Sequence, residues 1–193
     1  KLTANDGASD ESFGNSVAID GDIFLIGAYW PDDGFGSDSG SAYVFALNPP
    51  FTAAPTHLPT RLLSTWPQLA KMTAGDATAS DYFGGSVAAS GDIVAVGAYG
   101  DESNTGSVYI LQMDSSAAGY TQIAKLTASD GALGDGFGVS VAIDGDTVLV
   151  GASGDDDGGS DSGSAYVFRT TDGGATYGQV AKLTAAVDAL QTP

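Results

Sequence analysis

The sequence predicts an all-β chain built from repeated four-stranded units, and three observations carry that prediction. One segment is written three times: FGNSVAIDGDIFLIGA from Phe13, FGGSVAASGDIVAVGA from Phe83 and FGVSVAIDGDTVLVGA from Phe137. Its flanks recur as well, with KLTA or KMTA at Lys1, Lys71, Lys125 and Lys182, and with SGSAYVF, TGSVYIL and SGSAYVF ending at Phe45, Leu111 and Phe168. Finally, the spacing is constant within the repeated part: twelve residues from lysine to phenylalanine and fourteen from phenylalanine to the glycine of Gly-Ala. Repetition at roughly 50 residues signals supersecondary units that bury their apolar faces only by stacking.

Each unit resolves into four β-segments. The first two, Ser16 to Ile19 and Ile23 to Ile26, flank Asp20-Gly21, while Val139 to Ile143 and Thr147 to Val150 flank Asp144-Gly145. Asp-Gly between alternating apolar residues is a strong signal for a two-residue hairpin, expected here with φ > 0 at both turn positions. Ser90-Gly91 fills that place in the second unit. The third segment is Ser41 to Phe45 and its equivalents, rich in Tyr, Val and Phe, and the fourth contains the KLTA that leads into the following unit. The steps after Gly-Ala and after the YVF segment vary in length, which places insertions, and any chemistry that differs between units, in those loops.

Four antiparallel strands per unit is the pattern of a β-propeller blade. A sandwich would also use many short strands, but it gives no reason for Phe-Gly and Gly-Ala at fixed offsets. Small residues at Gly27-Ala28, Gly97-Ala98 and Gly151-Ala152 suit close backbone approach. The expected architecture is therefore about three blades (residues 1–70, 71–124 and 125–181) plus the start of a fourth (182–193), within a single partial propeller domain spanning 1–193. The three phenylalanines should be buried between blades. Because the first residue already belongs to a KLTA unit, the chain is expected to be a segment of something longer.

Phe-Gly followed about a dozen residues later by Gly-Ala, in acidic repeats, resembles the FG-GAP repeat known from the propeller heads of integrin alpha subunits. The form with KLTA before Phe-Gly and GSAYVF after Gly-Ala is similar to a subtype of bacterial and algal surface or secreted proteins. The resemblance covers nearly the whole chain and implies a propeller in an extracellular or cell-surface setting. One departure matters: integrin-type repeats carry an extended Asp-x-Asp-x-Asp-Gly calcium loop in the first hairpin, which here is shortened to Ile-Asp-Gly-Asp or Ser-Gly-Asp. Two carboxylates on a two-residue turn fall short of the six to eight oxygens calcium takes. That metal site is not carried over.

Composition narrows the partners. Twenty-four acids against six bases give a formal charge of −18, which repels nucleic acid and anionic lipid over roughly 10 Å at ordinary salt. No run reaches the length of a membrane helix, so membrane insertion is not expected. With no cysteine, no disulfide bears on compartment.

The acidic loops after Gly-Ala are the candidate metal sites, with Asp155, Asp157 and Asp161 best placed to wrap one hard cation and Asp32, Asp33 and Asp38 in the first unit as weaker counterparts. Calcium is the cofactor they would take; the competing reading is solvated turns. A second recurring pair, Asp6, Asp76 and Asp130 with Glu11, Asp81 and Asp135, precedes each phenylalanine and reads as a repeated structural device such as an Asx-turn. The insertion at 47–67 carries five prolines (Pro49, Pro50, Pro55, Pro59, Pro67) and the lone histidine. Its Phe51, His57 and Trp66, with Trp30 of the preceding loop, are the candidate binding residues. Catalysis has thin support, since there is no cysteine, no placed partner for His57, no Gly-x-Ser-x-Gly elbow and no phosphate loop, and the abundant carboxylates are not distinguished from surface charge.

The expected function is accordingly a non-catalytic extracellular interaction or adhesion module that presents loops on a propeller scaffold, with calcium as a candidate aid and a protein or glycan as partner. The alternative is a structural building block whose blades stack within or between copies into a fibre or surface assembly. An accessory propeller of a larger enzyme is the third.

Overall fold

The computed structural model describes residues 1–31, 36–46, 66–114, 119–174 and 176–185. Among these residues twelve strands form three four-stranded antiparallel sheets, each a simple meander in chain order. The first holds β1 (Ser16–Asp20), β2 (Ile23–Ala28), β3 (Ser41–Ala46) and β4 (Gln68–Met72). The second holds β5 (Phe83–Ser90), β6 (Ile93–Ala98), β7 (Ser107–Met113) and β8 (Tyr120–Leu126). The third holds β9 (Phe137–Asp144), β10 (Thr147–Ala152), β11 (Ser164–Arg169) and β12 (Gly178–Thr184). One helical turn, α1 (Asp101–Asn104), lies between β6 and β7. The sheets are propeller blades, and the lysine of each following KLTA or KMTA lies on the fourth strand of a blade, as the sequence implies.

The first hairpins differ from expectation in detail. Asp20, Ser90 and Asp144 pair directly with Ile23, Ile93 and Thr147, so the two turn residues are Gly-Asp rather than Asp-Gly. Among them only Gly21, Gly91 and Gly145 have positive φ, at 54°, 58° and 51°. A single positive φ at the first turn position fits a type II′ hairpin, which matches strand twist as well as the type I′ turn expected from Asp-Gly. Each blade also slips register at the same place between its third and fourth strands, after Val44, Ile110 and Val167.

Successive blades pack through their first two strands, and the recurring motifs meet there. A Cβ on Gly27 would lie 2.1 Å from the carbonyl oxygen of Gly84, and one on Gly97 would lie 2.1 Å from that of Gly138. No side chain fits in that space. The same carbonyls accept hydrogen bonds from the preceding blade, from Ser16 Oγ to Gly84 at 2.8 Å and from Ser86 Oγ to Gly138 at 2.7 Å. Gly84 and Gly138 can aim their carbonyls this way because they hold φ near +91° and +93°. The Gly-Ala of one unit thus exists to receive the Phe-Gly of the next.

Apolar burial follows the same seam. Between the first and second blades, Leu25, Val44 and Met72 pack with Phe83, Val87 and Val96. Between the second and third, Val108, Ile110 and Leu126 pack with Phe137, Val148 and Val150. Phe83 and Phe137 are fully buried, with edge-on neighbours such as Tyr166 at 5.4 Å from Phe137. Phe13 departs from the expected burial. It is half-buried, packed on Tyr43, Phe45, Leu2 and Ala4 but covered by no preceding blade.

This asymmetry is measurable. Phe137→Ala should cost about 3–5 kcal/mol, as a buried aromatic does, whereas Phe13→Ala should cost about 1 kcal/mol in keeping with its partial burial. Urea titrations of the two variants should show clearly separated midpoints; equal losses would place both rings in equivalent packing.

Candidate functional site

The meander topology puts two sets of connections at one end of every blade: those after Gly-Ala (β2–β3, β6–β7, β10–β11) and those that enter the next blade (β4–β5, β8–β9). There Lys71, Lys125 and Lys182 project from the fourth strands toward acids of the neighbouring loops. Lys182 Nζ lies 2.7 Å from Asp130 and 2.8 Å from Asp155, and it contacts Asp157 as well. Lys125 lies 2.7 Å from both Asp76 and Asp101. Lys71 reaches Asp6 at 2.5 Å. Beneath each ammonium sits the tyrosine of the third strand, with the cation 5.2 to 5.5 Å from the ring centres of Tyr166, Tyr109 and Tyr43.

The tyrosine hydroxyls complete these networks. Tyr166 donates to Asp155 at 2.7 Å, and Tyr109 donates to Asp76 at 2.8 Å. Desolvation alone would raise the Asp155 carboxyl, but hydrogen bonds from Lys182, Tyr166 and Ser164 outweigh it and hold the group well below the usual carboxylate range. Desolvation would likewise lower Lys182, and its bonds to Asp130, Asp155 and Asp157 override it and hold the ammonium charged far above its ordinary range. Lys125 is raised in the same way by Asp101 and Asp76 against desolvation. A buried carboxylate is tolerable only when paired and hydrogen-bonded. The second and third blades supply that pairing to Asp101 and Asp155 from their own closing strands.

The other recurring acids perform the loop-holding role expected of them. Glu11, Asp81 and Asp135 each accept the backbone N–H three residues earlier, from Ala8, Thr78 and Ala132 at 2.8, 2.5 and 2.7 Å. Asp6, Asp76 and Asp130 have a different task, which is to face the lysines. Among the candidate metal ligands, the structure brings Asp155 and Asp157 together, with Asp130 rather than Asp161 as the third carboxylate. Ligand oxygens of this trio lie within 4.8 Å of one another, a spacing that could hold a metal ion. The Lys182 ammonium sits on all three, in the place a metal ion would take. Asp161 stands apart in an exposed turn, its N–H donating to Asp156 Oδ1 at 2.7 Å. The Asp38 carbonyl accepts the N–H of Tyr82. Asp32, Asp33, Phe51 and His57 lie outside the described residues, and Trp66 packs edge-on against Phe24 at 4.4 Å.

Trp30 belongs to a feature that individual residues did not reveal. Its ring stands 5.2 Å from Tyr29, Tyr29 stands 5.9 Å from Tyr82, and Tyr82 stacks on Tyr99 at 5.1 Å. The four rings form a row across the loop end of the first two blades. It ends there, because the third blade has Ser153 where Tyr29 and Tyr99 stand and Gly136 where Tyr82 stands. Next to Tyr82 runs a groove lined by Ser80, Asp81, Gly100, Glu102, Ser103 and Asn104. Glu102, Ser103 and Asn104 hold φ of 50°, 62° and 65°. Three successive non-glycine residues in the left-handed region store strain of the kind that collects at ligand sites.

Sequence reasoning named neither the lysines nor their tyrosines as partners of the acids. The available signal was the constant place of lysine, tyrosine and Asp6, Asp76 or Asp130 in every unit. The aromatic row had a subtler one, since Gly-Ala-Tyr occurs in two units and Gly-Ala-Ser in the third.

A family model for the FG-GAP repeat matches residues 1–45, 66–111 and 120–168. No curated protein matches the chain significantly. Among the described residues no helix is long and apolar enough to cross a membrane.

Lys182→Met keeps the length of the side chain and removes its charge, leaving Asp155 buried without its cation. The expected loss is about 3 kcal/mol, against less than about 0.5 kcal/mol for Asp161→Asn at the exposed turn. The pH dependence follows from the two directions of shift. Below the ordinary aspartate pKa of about 3.9 the unfolded chain takes up protons that the folded carboxylates refuse, so the clamp's contribution falls as pH falls. Above the ordinary lysine pKa of about 10.4 the unfolded chain releases a proton that folded Lys182 keeps, so the contribution falls as pH rises. The melting-temperature difference between wild type and Lys182→Met should therefore be widest between these limits and narrow at both. A difference independent of pH would mean that packing, not charge, is lost.

Proposed function

The chain belongs to the FG-GAP repeat family, and on that premise we propose that it is a non-catalytic, extracellular interaction module that binds its partner at the loop end of the first and second blades. FG-GAP repeats are found in integrin-like extracellular propeller modules, and the family is in general a binding or scaffold module. The observation that carries the reading is the row Tyr29, Trp30, Tyr82 and Tyr99 beside the groove of Ser80, Glu102 and Asn104. Structural features of this chain recur in every unit. This one does not, and its Trp30 is 43% exposed.

The chemistry favours a neutral glycan. Aromatic faces stack on the apolar faces of sugar rings, while carboxylate and amide oxygens such as those of Glu102 and Asn104 accept sugar hydroxyls. The acidity of the chain, −18 overall, repels anionic polysaccharides. Calcium enters this reading only as a competitor for the Lys182 position, where it would have to displace a tethered ammonium.

The test is binding to an array of neutral and acidic oligosaccharides by wild type and by a Trp30→Ala, Glu102→Gln double variant. Retention of neutral glycans by the wild type, weakened at least tenfold in the variant and unaffected by calcium or by chelator, is expected. Equal retention by both proteins, or no retention of any glycan, would overturn the reading.

A further inference from the structure

The tyrosines of this chain sort by what their rings touch. Tyr43, Tyr109 and Tyr166 pack against Phe13, Phe83 and Phe137, and the hydroxyls of Tyr109 and Tyr166 are tied to aspartates. Tyr29, Tyr82 and Tyr99 meet other tyrosines instead. Among the described residues no hydrogen bond holds their hydroxyls. Tyr82 and Tyr99 make the closer contact, with 5.1 Å between ring centres and 23° between planes, whereas Tyr29 meets Tyr82 edge-on at 5.9 Å and 74°.

The second blade is shaped to hold this pair. Phe83 pairs with Ala98 at the open end of the β5–β6 ladder, so Tyr82 and Tyr99 stand across from each other just beyond the last paired residues. The equivalent positions are Ser12 and Tyr29 in the first unit and Gly136 and Ser153 in the third. Only the second unit sets two tyrosines there. Glycines make room for both rings: a Cβ on Gly85 would lie 2.7 Å from the Tyr99 ring, and one on Gly100 would lie 2.6 Å from the Tyr82 ring. Asn15 and Val139 stand where Gly85 does in the other units. Tyr82 itself holds φ of 57°, a conformation that strains a bulky residue and that Gly136 adopts freely in the third unit.

We propose that Tyr82 and Tyr99 form a site of oxidative modification, coupled carbon to carbon as dityrosine by a peroxidase-type one-electron oxidant that consumes hydrogen peroxide. Each phenol gives up one electron and its hydroxyl proton, and the two radicals combine at ring carbons adjacent to the hydroxyl-bearing carbons. The unpaired spin occupies lobes perpendicular to each ring, so stacked rings aim these lobes at each other and an edge-on pair such as Tyr29 and Tyr82 does not. The proton on each coupled carbon then moves to the neighbouring oxygen and restores the ring. The two electrons and two protons released reduce one hydrogen peroxide to two waters. Burial, with the Tyr29 and Tyr82 phenols beside it, raises the Tyr99 hydroxyl above its ordinary value, so Tyr99 enters as the neutral phenol. The new bond would close the segment that carries Gly84 and Gly97, the glycines of the two seams, in a chain with no cysteine to form a disulfide. Such a cross-link acts as a disulfide does, by constraining the unfolded chain. The coupling does not depend on the glycan reading and is measured with no ligand present.

The test treats dilute protein with a haem peroxidase and hydrogen peroxide, then cleaves it with an endoproteinase that cuts before aspartate. Asp92 is the one acidic residue between Tyr82 and Tyr99, so cleavage there separates the two tyrosines unless they are coupled. Wild type should yield peptides 81–91 and 92–100 as one species, two hydrogen atoms lighter than their sum and carrying dityrosine fluorescence. Tyr82→Phe and Tyr99→Phe keep each ring and remove its hydroxyl, so each variant should retain wild-type circular dichroism and give the two peptides apart. Separate peptides from oxidised wild type, joined peptides from either variant, Tyr82 joined to Tyr29 instead, or dityrosine formed only between chains would overturn the proposal.

Discussion

Everything in this chain depends on one backbone contact, the glycine carbonyl of Phe-Gly set into the space left by the glycine of the preceding Gly-Ala. The approach is closer than any side chain permits, since a Cβ added at Gly27 or Gly97 would lie only 2.1 Å from that carbonyl oxygen. It fixes where two sheets meet, and it explains why the segment between the motifs tolerates no insertion. A residue added between Phe83 and Gly97 would move the receiving glycine off the seam or turn the strand's apolar face outward. The loops escape this constraint, and their lengths vary. Ser16 and Ser86, three residues after their phenylalanines, then convert close packing into register by donating to the same carbonyl of the next unit.

Acidity raises a second problem, and the lysines solve it. A chain with 24 acids and six bases has few cations to distribute. Three of them, Lys71, Lys125 and Lys182, occupy the same structural position, each over a tyrosine ring and against one to three aspartates. An ammonium on the fourth strand does what a bound cation would do, drawing the entering loop and the Gly-Ala loop onto the strand that closes the blade. Being covalently attached, it loses no translational freedom on binding. The shortened first hairpins are consistent with this arrangement, since the cation that organises the acidic loops lies at the other end of the blade.

Much of the fold was legible in the sequence, because repetition separates constraint from accident. Phe-Gly and Gly-Ala at constant offsets identified the strands and their order, and glycine at both positions signalled close approach. The hairpin turn type was not legible: Asp-Gly suggests two positive φ values, and only the pairing of Asp20 with Ile23 shows the aspartate to be the last strand residue. Nor did the sequence assign the acids. Asp6 and Glu11 look alike as recurring carboxylates, yet one meets a lysine 65 residues away while the other caps a turn three residues back. Only the fold brings Lys71 to Asp6. Phe13 shows the same limit, since it has the motif of Phe83 and Phe137 without a blade to cover it.

Repetition also indicates where function should be sought. A feature present in every unit answers to packing, because a propeller needs the same joint at every step; the lysine clamps and the buried tyrosines are of this kind, as are the serine–glycine bonds at both joints between blades. Features confined to one or two units answer to something else, and the aromatic row is the clearest, joining Gly-Ala loops of two blades through Tyr82. Tyr82 stands two residues before Gly84 and Tyr99 two after Gly97, both of which meet backbone of a neighbouring blade at the seams, so the row's rings are presented by closely packed backbone. A rigid aromatic platform loses little conformational entropy when it meets a ligand. The same seams that determine how many blades a ring can hold therefore also determine how firmly its binding surface is preorganised.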